Sequence, residues 1–477
     1  MAWETVIGLE VHAQLKTQSK LFSAAPTKYG APPNSQTNFI DAGLPGVLPV
    51  LNQEAVRMAI KFGLAVDAEI NDLSFFERKN YFYPDLPKGY QISQFQRPIV
   101  GNGYLAISTA ADLSKRVIIE RAHLEEDAGK SLHEAHPDYT GIDLNRAGTP
   151  LLEIVTTPCL FSADEVVAYL KTLHQLLRFL DICDGNMQEG SFRCDVNISL
   201  RPYGREQLGT RTELKNLNSF RYIEKAIAYE QLRHQDLLEN GQDVIQETRL
   251  YSPASDSTHT LRNKENENDY RYFPDPDLLP IKITAQDLAT IKANMPPLPA
   301  HIKERLLSAN TFSREETDFL LSSPAVLDFF DDLHGKSHAP ARTIVNWLRG
   351  TYLAALNDAG LTFETLPVAS TDLAILLDRL TDHVVSAKNA KHVFAKLMIG
   401  EQDVDAIIAR EGYMQVNNDV LLEETIKTAI ANYPQQAADF RNGKEKLLSF
   451  FVGQLMKETK GQADPAQINL LLRKFLV

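Results

Sequence analysis

Strand-like runs, separated by turn-forming Gly, Pro, Asn and Asp, characterise the chain before Met295. These runs occur at 5–14, 115–119, 151–156 and 192–200. Apolar residues that recur at intervals of three and four predict two helices, over Ser162–Leu180 and from Tyr222 to Glu239. The first opens with Ser-Ala-Asp-Glu, the pattern of a capping box. Many strands with few helices predict an α+β fold with a mainly antiparallel sheet.

The segment Met295-Pro-Pro-Leu-Pro299 interrupts regular structure and predicts a linker. Beyond it the apolar spacing is helical almost throughout, with another Gly-bounded break near residue 400. After that break a helix is predicted over 444–459, and Asp464-Pro465 has the residue types of an N-cap followed by the first helical position. We therefore expect the second part of the chain to be helical.

Composition narrows the class of protein. The 477 residues include 49 Lys and Arg against 62 Asp and Glu, so the formal net charge is −13, and 44% are hydrophobic. The chain contains no apolar run of the ~18–20 residues that a membrane span needs, no basic start typical of a signal peptide and no disulfide framework among its three cysteines. A cytoplasmic protein without membrane contact is expected.

The acidic balance argues against nonspecific coating of nucleic acid, which needs clustered Lys and Arg. Residues 441–477 nevertheless hold seven Lys and Arg against three acids, a local charge of +4. This pattern fits either a nucleic-acid footprint or an ordinary solvated helix surface.

Familiar catalytic motifs are missing from the sequence. Gly129-Lys-Ser131 lacks the first glycine of a P-loop, because Leu124 stands at that position. His133 and His136 are one residue too close for the zinc-protease helix motif, and no cysteine or serine shows the sequence pattern of a nucleophile. Standard nucleotide folds and hydrolases are therefore disfavoured.

Acidic side chains instead lie among apolar residues in several predicted strands. Within a strand, alternate residues share a face, and three predicted strands each collect polar residues on one face: Glu10 with His12; His123 with Glu125 and Asp127; and Arg193 with Asp195 and Asn197. In a fourth strand, Glu153 interrupts an apolar run. A buried carboxylate costs several kcal/mol unless it is paired or binds a cation. Together these acids would suit Mg²⁺ or Mn²⁺ at nucleotide phosphates. Alternatively, each face is simply exposed to solvent.

Three segments, at 78–85, 88–94 and 269–275, combine Arg, Lys, Tyr and Gln with Pro turns. Such loops suit the binding of a phosphate, base or ribose. Structural turns anchored by aromatic side chains are the alternative interpretation.

Nine motifs occur in the order found in one known family. They are Val6-Ile-Gly-Leu-Glu-Val-His12, Arg78-Lys-Asn-Tyr-Phe-Tyr-Pro84, Tyr90-Gln-Ile-Ser-Gln94, His123-Leu-Glu-Glu-Asp-Ala-Gly-Lys130, Asp143-Leu-Asn-Arg-Ala-Gly-Thr-Pro150, Met187-Gln-Glu-Gly-Ser-Phe-Arg-Cys-Asp195, Glu213-Leu-Lys-Asn-Leu-Asn-Ser-Phe220, Asp269-Tyr-Arg-Tyr-Phe-Pro-Asp275 and Val452-Gly-Gln-Leu-Met-Lys457. The chain closely resembles, over nearly its whole length, the B subunits of the bacterial aspartyl/glutamyl-tRNA amidotransferases.

The resemblance implies three domains: a cradle at 1–293 that holds ATP, Mg²⁺ and the acceptor end of the tRNA, a helical domain at 294–400, and an all-α YqeY-like tRNA-binding tail at 401–477. It also implies an enzyme, a carbon–nitrogen ligase. Such an enzyme phosphorylates the side-chain carboxylate of misacylated Glu-tRNA(Gln) or Asp-tRNA(Asn) and amidates the acyl phosphate. The A subunit, which is a glutaminase, supplies the ammonia from glutamine, and the heterotrimer is completed by a small C subunit.

The family's site residues transfer to matching positions of this sequence. His12, Glu125 and Glu10 match the metal site, and strand placement adds Glu153 and Asp195. We expect His12, Glu125 and Arg193 to be catalytic; the basic residues expected to contact the nucleotide or the acceptor end are Lys79, Lys88 and Arg146. The tail residues expected to contact the tRNA are Lys444, Lys446, Lys457 and Lys460.

One departure from the family concerns zinc. Some relatives bind a structural zinc through paired cysteines after Lys20 and before Leu44, but here 21–26 and 38–43 contain no cysteine. Zinc is therefore not expected, and apolar packing is expected to hold this loop.

Two other functions remain open at this point. One is a noncatalytic tRNA-binding scaffold with structural acidic strands, and the other is a stand-alone amide ligase that uses free ammonia or a free amino acid. The basic tail and the lack of a glutaminase nucleophile disfavour the second. The choice between Glu-tRNA(Gln), Asp-tRNA(Asn) or both depends on the synthetases of the cell, so the sequence leaves it open.

Overall fold

The computed structural model describes residues 2–110, 114–133, 138–263, 270–308, 311–415, 419–459 and 465–476. Contacts divide the chain into two compact units, Met1–His301 and Ile302–Val477. Within the described residues, all named strands lie in the first unit, and the second is built from helices. This agrees with the α+β fold and the helical second part predicted from the sequence. No helix in the described ranges has the length and hydropathy needed to cross a membrane.

The strands are β1 (Trp3–Gln14), β2 (Leu73–Ser74), β3 (Glu77–Asn80), β4 (Tyr90–Ser93), β5 (Gly103–Ile107), β6 (Lys115–Glu126), β7 (Lys130–Leu132), β8 (Gly141–Asp143), β9 (Pro150–Thr156), β10 (Phe192–Pro202), β11 (Thr212–Lys215), β12 (Glu247–Ser252), β13 (Ser257–Asn263), β14 (Phe273–Pro274) and β15 (Ile281–Lys282). Helices of the first unit are α1 (Gln53–Ala65), α2 (Ala163–Phe179), α3 (Phe220–Glu239) and α4 (Ala285–Ala293), and α5 (Pro299–Ser308) crosses the boundary.

The second unit continues with α6 (Arg314–Leu320), α7 (Pro324–Lys336), α8 (Ala341–Trp347), a π-helical segment (Leu348–Tyr352), α9 (Leu353–Ala359), α10 (Ser370–Thr381), α11 (Ala387–Met398), α12 (Val404–Glu411), α13 (Asp419–Asn432), α14 (Pro434–Arg441), α15 (Leu447–Glu458) and α16 (Pro465–Leu476). Residues 295–298 of the predicted linker lie between α4 and α5, and Pro299 is the first residue of α5. The predicted N-cap Asp464 lies outside the described residues.

One large sheet dominates the first unit, with strand order β13-β12-β11-β10-β1-β9-β6-β4-β3-β14 and β5 added beside β6. Its neighbours pair antiparallel except β11 and β12, which are parallel. Strand β1 lies near the centre of this order, and its alternate residues face the buried core and the opposite side of the sheet. Its apolar face, Ile7, Leu9, Val11 and Ala13, belongs to the buried core that includes side chains of α2 and α3. The polar face of β1 is therefore directed away from that core.

Helix α2 begins as its sequence predicts, but only half of the capping box forms. The Ser162 side chain accepts a hydrogen bond from the backbone N–H of Glu165. The Glu165 carboxylate does not return to Ser162; it accepts from the backbone N–H of Phe161 and pairs with Lys115 on β6. The acid thus ties the helix start to the sheet.

The expectation that apolar packing alone holds the loop that follows β1 is incomplete. Phe22 does pack edge-on against Phe76, with ring centroids 5.1 Å apart. A buried ion pair also closes the loop, because Lys20 Nζ lies 2.9 Å from Asp41 Oδ2 and both side chains are almost fully buried. Asp41 additionally accepts from the Ser23 hydroxyl. Its carboxylate thus compensates the buried ammonium that apolar packing alone would leave unpaired.

Candidate active site

A row of polar and charged side chains crosses four adjacent strands of the sheet. His123 on β6 is directly opposite Glu153 on β9, Glu153 is opposite His12 on β1, and His12 is opposite Arg193 on β10. Directly opposite residues in antiparallel strands project to the same face, with Cβ atoms about 5 Å apart. The strand register therefore collects residues that are far apart in the sequence.

The first acidic group contains His12, Glu125 and Glu153, each of which offers a ligand atom within 4.8 Å of the others. His12 Nε2 lies 3.3 Å from Glu153 Oε2 and 3.7 Å from Glu125 Oε1. Buried His123 adds a second imidazole, whose Nε2 is 3.3 Å from Glu153 Oε2. These distances place three of the predicted metal ligands together.

The second acidic group contains the other two predicted ligands, Glu10 and Asp195, together with Glu213. Lys215 pairs with Asp195, and its Nζ lies 3.2 Å from Glu213 Oε1. The Asn197 amide donates to Glu10 Oε1 at 2.9 Å. The five predicted ligands therefore form parts of two groups.

The electrostatics of the two groups differ. In the first, burial opposes ionisation of Glu153, but the His123 and His12 imidazoles hold its pKa well below the usual range. Burial likewise favours neutral imidazole, yet the Glu153 and Glu125 carboxylates raise the pKa of His12 and raise that of His123 to about 9. In the second, burial and then the negative charges of neighbouring acids raise the pKa of Glu10. The Glu153 carboxylate of the first group is thus paired with imidazoles, whereas in the second group neighbouring acids oppose the ionisation of Glu10.

Both groups line one cavity of about 1270 Å³ in the first unit. Lys79, Arg193 and Lys215 line it too, so cationic side chains face the same space as the acids. Burial opposes the charge of Lys79, but Tyr272 and the carboxylates of Glu125 and Glu153 raise its pKa. The ammonium is therefore held in its charged form beside the first acidic group.

The donor atoms fit hard divalent cations. Carboxylate oxygens dominate both groups, and such ligands suit Mg²⁺ or Mn²⁺. Among the described residues, no hydrogen-bond donor reaches the buried Asn197 Oδ1, which lies beside Glu10, to which the amide nitrogen of Asn197 donates. An amide oxygen of this kind is a further hard ligand for an ion in the second group.

The basic residues predicted to bind substrate lie in different environments. Lys79 and Arg193 line the cavity, and Arg193 is oriented by buried Asp127, whose Oδ2 is 3.0 Å from its Nη2. Lys88 instead pairs with buried Glu126, and Arg146 donates to the backbone carbonyls of a neighbouring loop. Neither Lys88 nor Arg146 is among the residues that line the cavity.

Three of the four predicted tail lysines lie in α15 or in the residues just before it. Lys444 pairs with Asp439 at 2.9 Å, Lys446 directly precedes the helix, and Lys457 is in its last turn. Lys460 lies outside the described residues.

Sequence reasoning missed Glu213, Lys215 and the position of His123 within the first group. A signal was present on β11, where Glu213 and Lys215 alternate with buried Leu214. It is the same alternation that identified Glu10 and His12. Only the pairing of β11 with β10, which sets Asn197 opposite Glu213, brings that strand to the site.

Comparison with known proteins gives a consistent result. Residues 5–289 match the family model of the GatB/GatE catalytic domain, and residues 328–476 match that of the GatB domain. The chain is 63% identical to the B subunit of the aspartyl/glutamyl-tRNA(Asn/Gln) amidotransferase of Legionella pneumophila, with both chains fully covered. It is 53% identical to the corresponding protein of Thioalkalivibrio sulfidiphilus and 52% identical to that of Coxiella burnetii, again over the full length of both chains.

Proposed function

The chain belongs to the family of aspartyl/glutamyl-tRNA(Asn/Gln) amidotransferase B subunits, and on that premise we propose that its cavity activates the side-chain carboxylate of a misacylated tRNA with ATP and converts it to an amide. The protein is accordingly a carbon–nitrogen ligase that uses glutamine as the nitrogen source. One observation carries the proposal: both acidic groups line a single cavity, and cationic side chains line that cavity too.

The reaction explains why no nucleophilic residue is needed. An ionised carboxylate resists ammonia, because a C–N bond could form only by expelling oxide. If a carboxylate oxygen attacks the γ-phosphorus of ATP, ADP leaves and an acyl phosphate forms. Ammonia then attacks the acyl carbon and expels phosphate. The protein has to align the reactants and stabilise charge.

Divalent cations fit the acidic groups. We propose that His12, Glu125 and Glu153 hold one Mg²⁺, and that Glu10, Asp195 and Glu213 hold a second. When bound, such ions neutralise charge on phosphate oxygens. The buried acids of this chain would orient them.

Cationic residues of the chain act beside these ions. Lys79 and Arg193 face the cavity near the first acidic group, and Lys215 faces it near the second. We propose that they bind phosphate or carboxylate oxygens and stabilise charge that develops during phosphoryl transfer. Asp127, which accepts from Arg193 and Gln14, keeps the guanidinium in place. Lys88 and Arg146 remain proposed contacts for parts of the substrates that extend beyond the cavity.

Partners follow from the name of the relatives, which are B subunits of tRNA amidotransferases. We propose that the chain assembles into a heterotrimer with a glutaminase, the A subunit, and with a small C subunit, and that it acts in the cytoplasm with aminoacyl-tRNA. We further propose that residues 1–293 form the catalytic cradle, 294–400 a helical domain, and 401–477 a tail that contacts tRNA through Lys444, Lys446, Lys457 and Lys460. Both amino acids in the relatives' name remain possible substrates.

Phosphate release from γ-labelled ATP tests the proposal. The reconstituted heterotrimer would be supplied with Glu-tRNA(Gln) but no glutamine, and His12→Ala and Glu125→Ala would be compared with wild type. Glu4→Gln is the matched control, because Glu4 is on β1 but pairs with Arg201 away from the cavity lining. We expect tRNA-stimulated release that both site substitutions abolish and the control retains, with tRNA binding intact. Equal release from all proteins would leave this chain as a tRNA-binding scaffold.

A further inference from the structure

Four aromatic side chains at the same cavity have no role in the chemistry described so far. Tyr81, Phe95, Tyr270 and Tyr272, here called the aromatic wall, are the Phe and Tyr residues among the described residues that line it. They come from the loops that follow β3 and β4 and from the segment that leads into β14.

The rings of the aromatic wall are arranged in contact with one another. Phe95 and Tyr272 stack with centroids 4.4 Å apart and an interplanar angle of 12°. Tyr270 meets Tyr272 edge-on at 6.3 Å, and Tyr81 meets Tyr270 edge-on at 6.2 Å. The stacked pair is therefore supported by perpendicular rings on one side.

One buried and one half-buried polar side chain fix the backbone beneath these rings. Glu77, fully buried, accepts hydrogen bonds from the backbone N–H groups of Phe95 and Gln96. Asn80 donates its side-chain amide to the carbonyls of Tyr270 and Arg271. The positions of the rings are set by these hydrogen bonds, so the rings do not need to be buried themselves.

The exposure of Phe95 argues against a purely structural role for the aromatic wall. A turn anchored by aromatic packing hides its rings from water, but Phe95 is 42% exposed and faces the cavity. Exposed apolar surface that is rigidly held inside a cavity is typical of a binding surface.

Lys79 links the aromatic wall to the first acidic group. Its Nζ lies 5.0 Å from the centroid of the Tyr270 ring and 5.8 Å from that of Tyr81. The same ammonium interacts electrostatically with Glu125 and Glu153. A ligand on the aromatic wall would thus extend toward the proposed metal site past a positive charge.

We propose that the aromatic wall stacks the adenine base of a substrate adenosine. Every nucleobase offers a flat π surface, and aromatic side chains bind it with little dependence on hydrogen bonding. The inference rests on the proposed function, in which two adenosines reach the cavity: that of ATP and the 3′-terminal nucleotide of the tRNA. Lys79 would then bind the phosphate or ester oxygens that follow the base.

Fluorescence of 2-aminopurine, which is quenched by stacking, tests this contact directly. Two probes would be titrated with the reconstituted heterotrimer: 2-aminopurine riboside triphosphate, and tRNA whose terminal adenosine is replaced by 2-aminopurine riboside. Phe95→Leu keeps an apolar side chain but removes the ring, and Phe95→Tyr keeps the ring. Phe82→Leu is the matched control, because Phe82 is 78% exposed and does not line the cavity.

We expect one probe to be quenched by wild type, by Phe95→Tyr and by the Phe82→Leu control, and its affinity to fall roughly 5-fold to 150-fold in Phe95→Leu. The probe that responds identifies which adenosine is bound. Unchanged quenching and affinity of both probes in Phe95→Leu would overturn the inference. That failure differs from a failure of the proposed function, in which Glu125→Ala would still release phosphate.

Discussion

His12 Nε2 lies 3.3 Å from Glu153 Oε2, because the two residues are directly opposite each other on paired strands β1 and β9. The Glu153 carboxylate also lies 3.3 Å from a second imidazole, that of His123, so this buried charge is paired on two sides. Neutral imidazole and ionised carboxylate are the forms that bind metal ions.

Replacing Glu153 by Gln should remove one ion site and leave the other. Electron paramagnetic resonance of Mn²⁺ should count two bound ions per wild-type chain in the presence of ATP and one in Glu153→Gln. Phosphate release with Glu-tRNA(Gln) should fall by roughly 100-fold or more, since even residues behind the ligands contribute 10–100-fold. Two ions bound equally by wild type and variant would contradict this assignment.

Glu213→Gln should affect the second acidic group in the same way. Its carboxylate accepts from the Thr248 hydroxyl at 2.7 Å and lies beside Lys215, so the neutral amide keeps the shape of the site but not its charge. We expect the loss of one Mn²⁺ site while the site at His12 remains. Combining Glu213→Gln with Glu153→Gln should abolish ordered Mn²⁺ binding.

The strand alternation that identified Glu10, His12 and Asp195 required only local sequence. Alternation cannot tell which strands become neighbours, and so it could not divide the acids into two groups or add Glu213 from β11. Register between distant strands sets those groupings. The helical second part was predictable for a similar reason, since helix periodicity is local.

Lys88 and Arg146 illustrate the opposite case. Lys88 lies between two family motifs and Arg146 lies within one, and the sequence predicts that both contact substrate, but sequence letters do not reveal the partners of a side chain in space. Lys88 pairs with a buried acid on β6, and Arg146 donates to two backbone carbonyls of the neighbouring loop that follows β6. These contacts stabilise the first unit, and the substrate contacts of Lys88 and Arg146 stay predictions.

Lowering the pH should decrease the unfolding free energy of the first unit, because it protonates Glu230 on α3. Burial opposes its charge, but hydrogen bonds from His234, Arg233 and Thr258 lower the pKa of Glu230 to about 2. A lowered folded-state pKa gives stability that is present above the unfolded value of about 4.5 and is lost as the pH falls toward 2. The shift corresponds to about 3 kcal/mol at neutral pH.

Urea unfolding of wild type and Glu230→Gln measures this effect. The difference in unfolding free energy between them should be largest near pH 7 and shrink between pH 4.5 and pH 2. Glu224→Gln, at an exposed position on the same helix, should show no such difference. A Glu230→Gln difference that stays constant with pH would argue against an ionised, buried Glu230.

The Lys20–Asp41 ion pair should control the stability of the loop that follows β1. Asp41→Asn leaves the buried ammonium uncompensated and should cost about 3–5 kcal/mol. Hydrogen exchange of the 21–46 segment should rise in this variant. A double variant, Lys20→Met with Asp41→Asn, should recover much of the loss, whereas failure to recover any would assign the effect to the Ser23 contact.

The tail should contribute to tRNA affinity mainly through charge. We expect Lys444→Gln, Lys446→Gln and Lys457→Gln together to weaken binding of charged tRNA and to reduce the slope of log affinity against log salt by about 2. Lys303→Gln is a suitable control, because Lys303 is an exposed lysine paired with Asp318 in a preceding helical region. Identical salt slopes for the triple variant and wild type would exclude these lysines from the interface.

Transfer of ¹⁸O most directly tests whether this cavity forms an acyl phosphate. Glu-tRNA(Gln) labelled with ¹⁸O in the side-chain carboxylate would be converted by the complete heterotrimer with ATP and glutamine, and the released phosphate analysed by mass spectrometry. Attack of the carboxylate on the γ-phosphorus, followed by expulsion of phosphate by ammonia, moves one labelled oxygen into phosphate. We predict that transfer for wild type and its loss in Glu125→Ala. Unlabelled phosphate from wild type, or labelled phosphate from Glu125→Ala at the wild-type rate, would contradict the account.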